Sequence, residues 1–137
     1  MLSEILNEFE IGKGVAPNQY SALTLAYIGD CVFELYVRTY LIKDKDYPVK
    51  LLHKEATKFV RAKAQADYFR RIEGILTEEE TAVFKRGRNT ISHPPKNADM
   101  VDYKIATGVE ALVGYTYLKG DTKRLMELLS YLKESST

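Results

Sequence analysis

The chain has 137 residues, which fits a single domain spanning residues 1–137 and leaves no room for a second folded module. Its net charge of +1, with 45% hydrophobic and 28% charged residues, is ordinary for a folded globular protein and argues against wholesale disorder. One cysteine and two histidines exclude an intramolecular disulfide and a zinc site, and no apolar run is long enough for a membrane span, so we expect a cytoplasmic protein.

The N-terminal third of the chain predicts a short helix, a connector and one long helix. Residues 2–9 fit a short helix, which the glycines and the proline of the connector end. A cap at Asn18 or Ser21 predicts the start of a second helix, and its apolar periodicity continues to about Ile42.

The second helix contains LAYIGDCVFELYVR, residues 25–38, which is apolar nearly all round and carries one polar line. Its main apolar stripe consists of Leu25, Ile28, Val32 and Leu35, and Cys31 fits a small core residue. Asp30, Glu34 and Arg38 recur every four residues and so lie along one side. Buried carboxylates are costly without compensation, so either an internal salt bridge or a bound cation must explain this line. Glu34 and Arg38 have the favourable spacing for an ion pair.

A third helix is expected from Pro48 to about Ile72, with its apolar face inward and its basic residues outward. Residues 49–71 hold seven basic and two acidic side chains, among them Lys58 and Arg61. The opposing negative charge lies mainly at the N-terminus and in residues 73–80, so the surface is polarised, as in proteins that bind polyanions.

A capping box of Thr77 and Glu80 predicts a short helix that ends at Phe84. Glycine and proline residues then predict a loop from Lys85 to about Asp99, and a loop of this length is usually functional or disordered.

This loop contains side chains that suit the oxygens of phosphate groups, and its Gly87 would allow a close backbone approach. The candidates are Lys85, Arg86, Arg88, Asn89, Lys96 and Asn97. Short basic runs are usually only solvated. The placement of this one in a long loop, together with the basic third helix, favours phosphate binding.

The penultimate helix, from Asp99 to about Leu118, places Glu110 among apolar and small residues, and Asp121 starts a last helix. Small residues on this helix and beside Asp30 would let the two carboxylates converge. Two acids close together in a poorly hydrated cleft repel each other, and one takes up a proton unless a divalent cation neutralises them. Oxygen ligands suit Mg²⁺ or Mn²⁺. Acids paired inside helical bundles are commoner than metal sites, so both readings stay open.

Taken together, these segments resemble the ribonuclease III superfamily, and most closely its small bacterial Mini-ribonuclease III branch. The likeness spans about Leu23 to Leu118. The motifs that carry it are Tyr27 to Leu35, Phe59 to Arg61, Lys85 to Asn89, Pro94 to Asn97 and Val109 to Gly114.

The resemblance implies an all-α fold of six to seven helices, in one ribonuclease III-like endonuclease domain with no double-stranded-RNA-binding domain. It also implies a homodimer that pairs through the signature helix. The expected activity is Mg²⁺-dependent, double-strand-specific endoribonuclease cleavage that leaves 5′-phosphate ends. Asp30 and Glu110 would be the catalytic and metal-binding residues, with Mn²⁺ as a possible substitute for Mg²⁺. The branch matures 23S ribosomal RNA precursors, and a ribosomal protein is a possible helper.

Two departures from the family pattern concern the acidic site. Larger members carry additional acids where this chain has Ala26 and Thr107. An alternative is therefore a non-catalytic protein on the same fold that binds double-stranded RNA or the ribosome. A purely structural helical dimer, with both acids in internal salt bridges, is a third interpretation.

Overall fold

The computed structural model describes residues 1–90 and 93–136, and of residues 134–136 only the backbone. This part of the chain is all-helical, as predicted, and it contains no strand. No helix in it is both long and apolar enough to cross a membrane. The seven α-helices are α1 (Leu2–Glu8), α2 (Ala22–Ile42), α3 (Val49–Val60), α4 (Ala62–Ile72), α5 (Glu78–Arg88), α6 (Met100–Leu118) and α7 (Thr122–Ser130). Short 3₁₀ helices occur at Pro17–Gln19, Glu73–Ile75 and Tyr131–Ser136.

Helix α6 is the centre of the fold. It packs most extensively against α2, and further against α5 and α4. Every residue from Ala106 to Tyr117 is buried except Glu110, because this segment is apolar or small on all sides. Helices α2, α4 and α5 thus pack around α6.

Side-chain caps begin four of the helices at the predicted positions. Ser21, Asp99 and Asp121 each accept a hydrogen bond from the backbone N–H three residues further on, which starts α2, α6 and α7. Thr77 and Glu80 form the predicted capping box of α5, each side chain accepting from the backbone N–H of the other.

The prediction of one helix from Pro48 to Ile72 was wrong. Arg61 has an extended backbone, with φ −65° and ψ 154°, and it separates α3 from α4. The break lets α3 pack against α2 while α4 packs against α6, which one straight helix would not reach. Neither glycine nor proline marks the junction in the sequence.

Helix α5 is longer than predicted, because it continues past Phe84 to Arg88. Gly87 is buried where α5 crosses α6, and a Cβ atom there would lie 2.8 Å from the Cα of Gly108. The expectation that Gly87 lies in a loop and approaches phosphate was therefore wrong, since this glycine permits close packing of two helices.

Helix α2 is less buried than predicted. Cys31 and Leu35 were expected in the core, but both are exposed, and Tyr27 has 81% of its surface exposed. Periodicity does not distinguish a helix enclosed by its own domain from one that also has an apolar outer face, because both are apolar nearly all round.

An ion pair that the sequence did not reveal joins α5 to α7. The Arg124 guanidinium donates to both carboxylate oxygens of Glu80, at 2.9 and 2.7 Å, and to the carbonyl oxygen of Ile75 at 2.7 Å. The hydrogen bond from Arg124 is the main reason why the pKa of Glu80 is lowered.

A very close helix contact joins α2 and α6 at two glycines. A Cβ atom at Gly29 would overlap the backbone carbonyl oxygen of Glu110, and one at Gly114 would overlap the backbone carbonyl oxygen of Leu25. The two backbones therefore touch with no side chain between them. Because Gly29 precedes Asp30, this contact brings Asp30 beside Glu110.

We expect Gly114→Ala to destabilise the protein by on the order of 3 kcal/mol or more, because backbone atoms must move to admit the methyl group. Gly74→Ala is the matched control, since its Cβ would meet nothing within 4 Å, and its effect should stay within about 0.5 kcal/mol. Urea unfolding measures both variants. Equal midpoints for them would contradict the backbone contact.

Candidate active site

Asp30 and Glu110 lie next to each other, although 80 residues of sequence separate them. Asp30 is exposed on α2, and Glu110 is the partly buried exception in the middle of α6. The two carboxyl groups are close enough to interact directly. The structure therefore brings together the two acids that the sequence analysis proposed as a pair.

Burial and the neighbouring Asp30 raise the pKa of Glu110 to about 8. Desolvation is the larger cause, followed by the hydrogen bond and the charge of Asp30, and the charge of Glu34 adds to them. At neutral pH, Glu110 thus keeps a proton in the absence of a cation. A position that resists a second negative charge is one where an added positive charge is stabilised.

The predicted ion pair on the polar line of α2 is present between Glu34 and Arg38. The Arg38 guanidinium donates to the Glu34 carboxylate at 3.4 Å, across one turn of the helix. Glu34 therefore has a partner on its own helix, whereas Asp30 faces Glu110.

Gln65 on α4 is a third polar residue at this place, and sequence reasoning missed it. Its side chain is 2% exposed, its Nε2 has no hydrogen-bond partner in the described part of the chain, and its amide lowers the pKa of Glu110. The signal was present in the sequence, because Gln65 shares the helical spacing of the fully buried Tyr68 and Ile72. A polar side chain on the buried face of a helix needs a hydrogen-bond partner.

Ala26 and Thr107 supply no carboxylate to this place. Ala26 is buried, and the Thr107 hydroxyl donates to the carbonyl oxygen of Tyr103 at 3.0 Å, within its own helix. Among the residues that the structure describes, no group of three or more His, Cys, Asp or Glu side chains could hold a metal ion. Two carboxylates still fit a hydrated divalent cation, because Mg²⁺ keeps several waters and is commonly bound through one or two carboxylates.

Two of the predicted phosphate-binding arginines already make contacts within the protein. Arg86 donates to the carbonyl oxygens of Tyr20 and Asn18, at 2.7 and 3.4 Å, and so anchors the connector before α2 to α5. Arg88 donates to the Asn89 side chain at 3.1 Å. Both arginines lie on α5 and not in a loop.

The other predicted phosphate-binding residues lie on the surface. Lys58 pairs with Glu55 at 3.0 Å, and Arg61 is exposed at the junction between α3 and α4. The rest of this exposed group consists of Lys85, Lys96 and Asn97. Within the predicted loop, Ile91 and Ser92 lie outside the described residues.

Comparison with known proteins identifies the family. Residues 23–121 match the ribonuclease III domain, which is well over half of the chain. The chain belongs to the ribonuclease III family. The matched range agrees with the likeness predicted from the motifs, and with it the prediction of a ribonuclease, a hydrolase, is confirmed.

Curated relatives of this ribonuclease III family member carry the name Mini-ribonuclease 3. The protein from Clostridium tetani is 50% identical over 113 residues, which cover 81% of this chain and 75% of the relative. The protein from Thermoanaerobacter sp. is 49% identical, covering 80% and 78%. A crystal structure of a Fusobacterium nucleatum protein superposes with a TM-score of 0.79 at 30% identity, covering 86% of this chain and 95% of the other. The predicted resemblance to the Mini-ribonuclease III branch is confirmed.

We expect Glu110→Gln to stabilise the metal-free protein at high pH only. Below pH 4.5, the ordinary pKa of a glutamate, the Glu110 carboxyl is protonated in the folded and the unfolded chain alike, so it carries no more charge than the amide of the variant. Between pH 4.5 and about 8, wild-type Glu110 ionises in the unfolded chain while it stays protonated in the folded one, so the wild type loses stability. The variant should exceed the wild type by on the order of 4 kcal/mol at pH 8, because each unit of pKa shift is worth about 1.4 kcal/mol. Urea unfolding with a chelator, once below pH 4.5 and once at pH 8, measures the difference in unfolding free energy between the two proteins. A difference that does not change with pH would contradict the raised pKa of Glu110.

Proposed function

We propose that this protein is a divalent-metal-dependent endoribonuclease that cleaves double-stranded RNA, with Asp30 and Glu110 as its catalytic residues. The observation that carries the proposal is the forced proximity of these two carboxyls, one with a pKa raised to about 8, at a backbone contact between α2 and α6. Membership of the ribonuclease III family supports it.

Asp30 and Glu110 would hold Mg²⁺, or Mn²⁺ in its place. When bound, such a cation lowers the pKa of a water molecule and stabilises the negative charge that develops on the scissile phosphate. Asp30 and Glu110 would act as ligands in their ionised form, so Glu110 would release its proton on binding a cation. Asp30, which is exposed, would supply the side of the site that RNA approaches.

The reaction is the hydrolysis of a phosphodiester bond in each strand. A water oxygen bonds to phosphorus as the bond between phosphorus and the 3′ oxygen breaks, leaving a 5′-phosphate and a 3′-hydroxyl. No protein nucleophile is required.

We propose that the same domain also binds the duplex, through its backbone and shape. The major groove of A-form RNA is too deep and narrow for side chains to read, so contacts with phosphates dominate recognition. The basic surface of α3, α5 and the following loop suits this role. Its contact residues would be Lys58, Arg61, Lys85, Arg86, Arg88, Asn89, Lys96 and Asn97.

The substrate that we propose is a 23S ribosomal RNA precursor in the cytoplasm, with a ribosomal protein as a possible helper in presenting it. The support is the similarity to curated proteins named Mini-ribonuclease 3.

We further propose that two copies of the chain pair through α2. Exposed apolar residues recur every four positions along its outer side. They are Leu23, Tyr27, Cys31 and Leu35. A second copy would cover this surface and would approach Asp30, which is exposed on the same helix.

A non-catalytic protein that binds double-stranded RNA or the ribosome is the second candidate. It is favoured by the presence of only two acids at the site, since Ala26 and Thr107 supply none. The two candidates differ in whether Mg²⁺ produces cleavage of a long duplex RNA.

We expect Asp30→Asn to reduce Mg²⁺-dependent cleavage of duplex RNA by about 10³-fold or more, because one of two charged ligands is lost. Glu79→Gln is the control, because this exposed carboxylate pairs with Lys119 and is not among the groups that shift the pKa of Glu110, and it should stay within a few-fold of the wild type. Cleavage of labelled duplex measures both. Wild-type turnover by Asp30→Asn would refute the assignment, and wild-type binding without cleavage would favour the second candidate.

We expect Tyr27→Asp to convert the dimer to a monomer, because it places a charge in the middle of the apolar side of α2. Met126→Asp on α7 is the matched control, since it changes an exposed apolar residue outside that surface and should leave the dimer intact. Sedimentation velocity measures the mass. A Tyr27→Asp protein that still sediments as a dimer would exclude α2 as the interface.

A further inference from the structure

Gln65 is a buried amide without a hydrogen-bond partner for its nitrogen. The side chain lies in the second turn of α4 and is 2% exposed, and its Nε2 has no partner in the described part of the chain. Buried N–H donors that lack an acceptor are rare, because their desolvation is not compensated. An amide in this position therefore needs an explanation that packing does not provide.

The group that the amide faces is the carboxyl of Glu110. The two lie on α4 and α6, which pack against each other, and the amide interacts favourably with the ionised form of Glu110. Their contact falls short of a regular hydrogen bond. A carboxylate has two oxygens and about four acceptor sites, so it can accept from Gln65 through one oxygen while the other stays directed to Asp30.

We propose that Gln65 is a positioning residue, whose amide donates to one oxygen of Glu110 and holds its other oxygen toward Asp30 for the divalent cation. The inference rests on the proposed function, because it takes Glu110 as a metal ligand. Groups that hydrogen-bond to a ligand fix its orientation and so tune the affinity for the metal.

The small number of acids makes such positioning important here. Ala26 is buried and the Thr107 hydroxyl donates to the carbonyl oxygen of Tyr103, so among the described residues Asp30 and Glu110 are the two acids that would hold the ion. If the Glu110 carboxylate rotated freely, the site would bind the cation more weakly, and no third acid is there to compensate. A residue that served only to fill space would be better replaced by an apolar side chain of similar volume, because the orphan donor would disappear.

The test replaces the amide without changing its volume. Gln65→Leu should raise the Mg²⁺ concentration for half-maximal cleavage about 10-fold and leave the affinity for duplex RNA in a chelator unchanged. It should also reduce the rise in melting temperature that Mn²⁺ alone produces. Its melting temperature without metal should equal or exceed that of the wild type. Thr116→Val is the matched control. Thr116 is equally buried, but its hydroxyl donates to the Leu112 carbonyl oxygen and has no part in the proposed metal site.

The outcomes separate this inference from the function on which it rests. A wild type with neither Mg²⁺-dependent cleavage nor a Mn²⁺-induced shift would refute the proposed function. A wild type with both, matched by Gln65→Leu in both measurements, would overturn the role of Gln65 alone. If Gln65→Leu does not fold, Gln65→Met decides by the same two measurements, since its flexible side chain fits the same space.

Discussion

The contact between the backbones of α2 and α6 is the constraint on which the rest of the structure depends. Gly29 and Gly114 leave no space for a side chain, so the two longest helices meet in direct backbone contact. Asp30 adjoins one glycine, and Glu110 contributes the carbonyl oxygen against which that glycine packs. The pairing of the carboxyls, and the pKa of about 8 for Glu110, follow from this packing and not from flexible loops.

Helix α6 makes a second close glycine contact, with α5. Gly108 meets Gly87 of α5 at close range, just as Gly114 meets α2. Close approach on two sides of one helix leaves little room for rearrangement near Glu110. A site built on helices held in this way is preorganised, which suits a reaction whose catalysis is mainly electrostatic.

The sequence predicted the features that local chemistry or a motif determines. The caps at Ser21, Asp99 and Asp121 belong to this class, because each follows from residue type and spacing. The proximity of Asp30 and Glu110 was expected from the small residues near both acids, which permit a close approach of their helices. The break at Arg61 did not, since it depends on which neighbour each half of the segment packs against.

Other failures share a physical cause, because burial is decided by partners distant in the chain. Gly87 is a helix breaker by propensity, but the close contact with α6 outweighs that preference. Cys31 looks like a core residue and is exposed, whereas Gln65 looks like a surface residue and is buried.

The central position of α6 also has a consequence for how the protein folds during its synthesis. A chain made from its N-terminus exposes the inner faces of α2, α4 and α5 until residue 118 has emerged. Folding around α6 is therefore completed late in translation, and Asp30 and Glu110 come together only then.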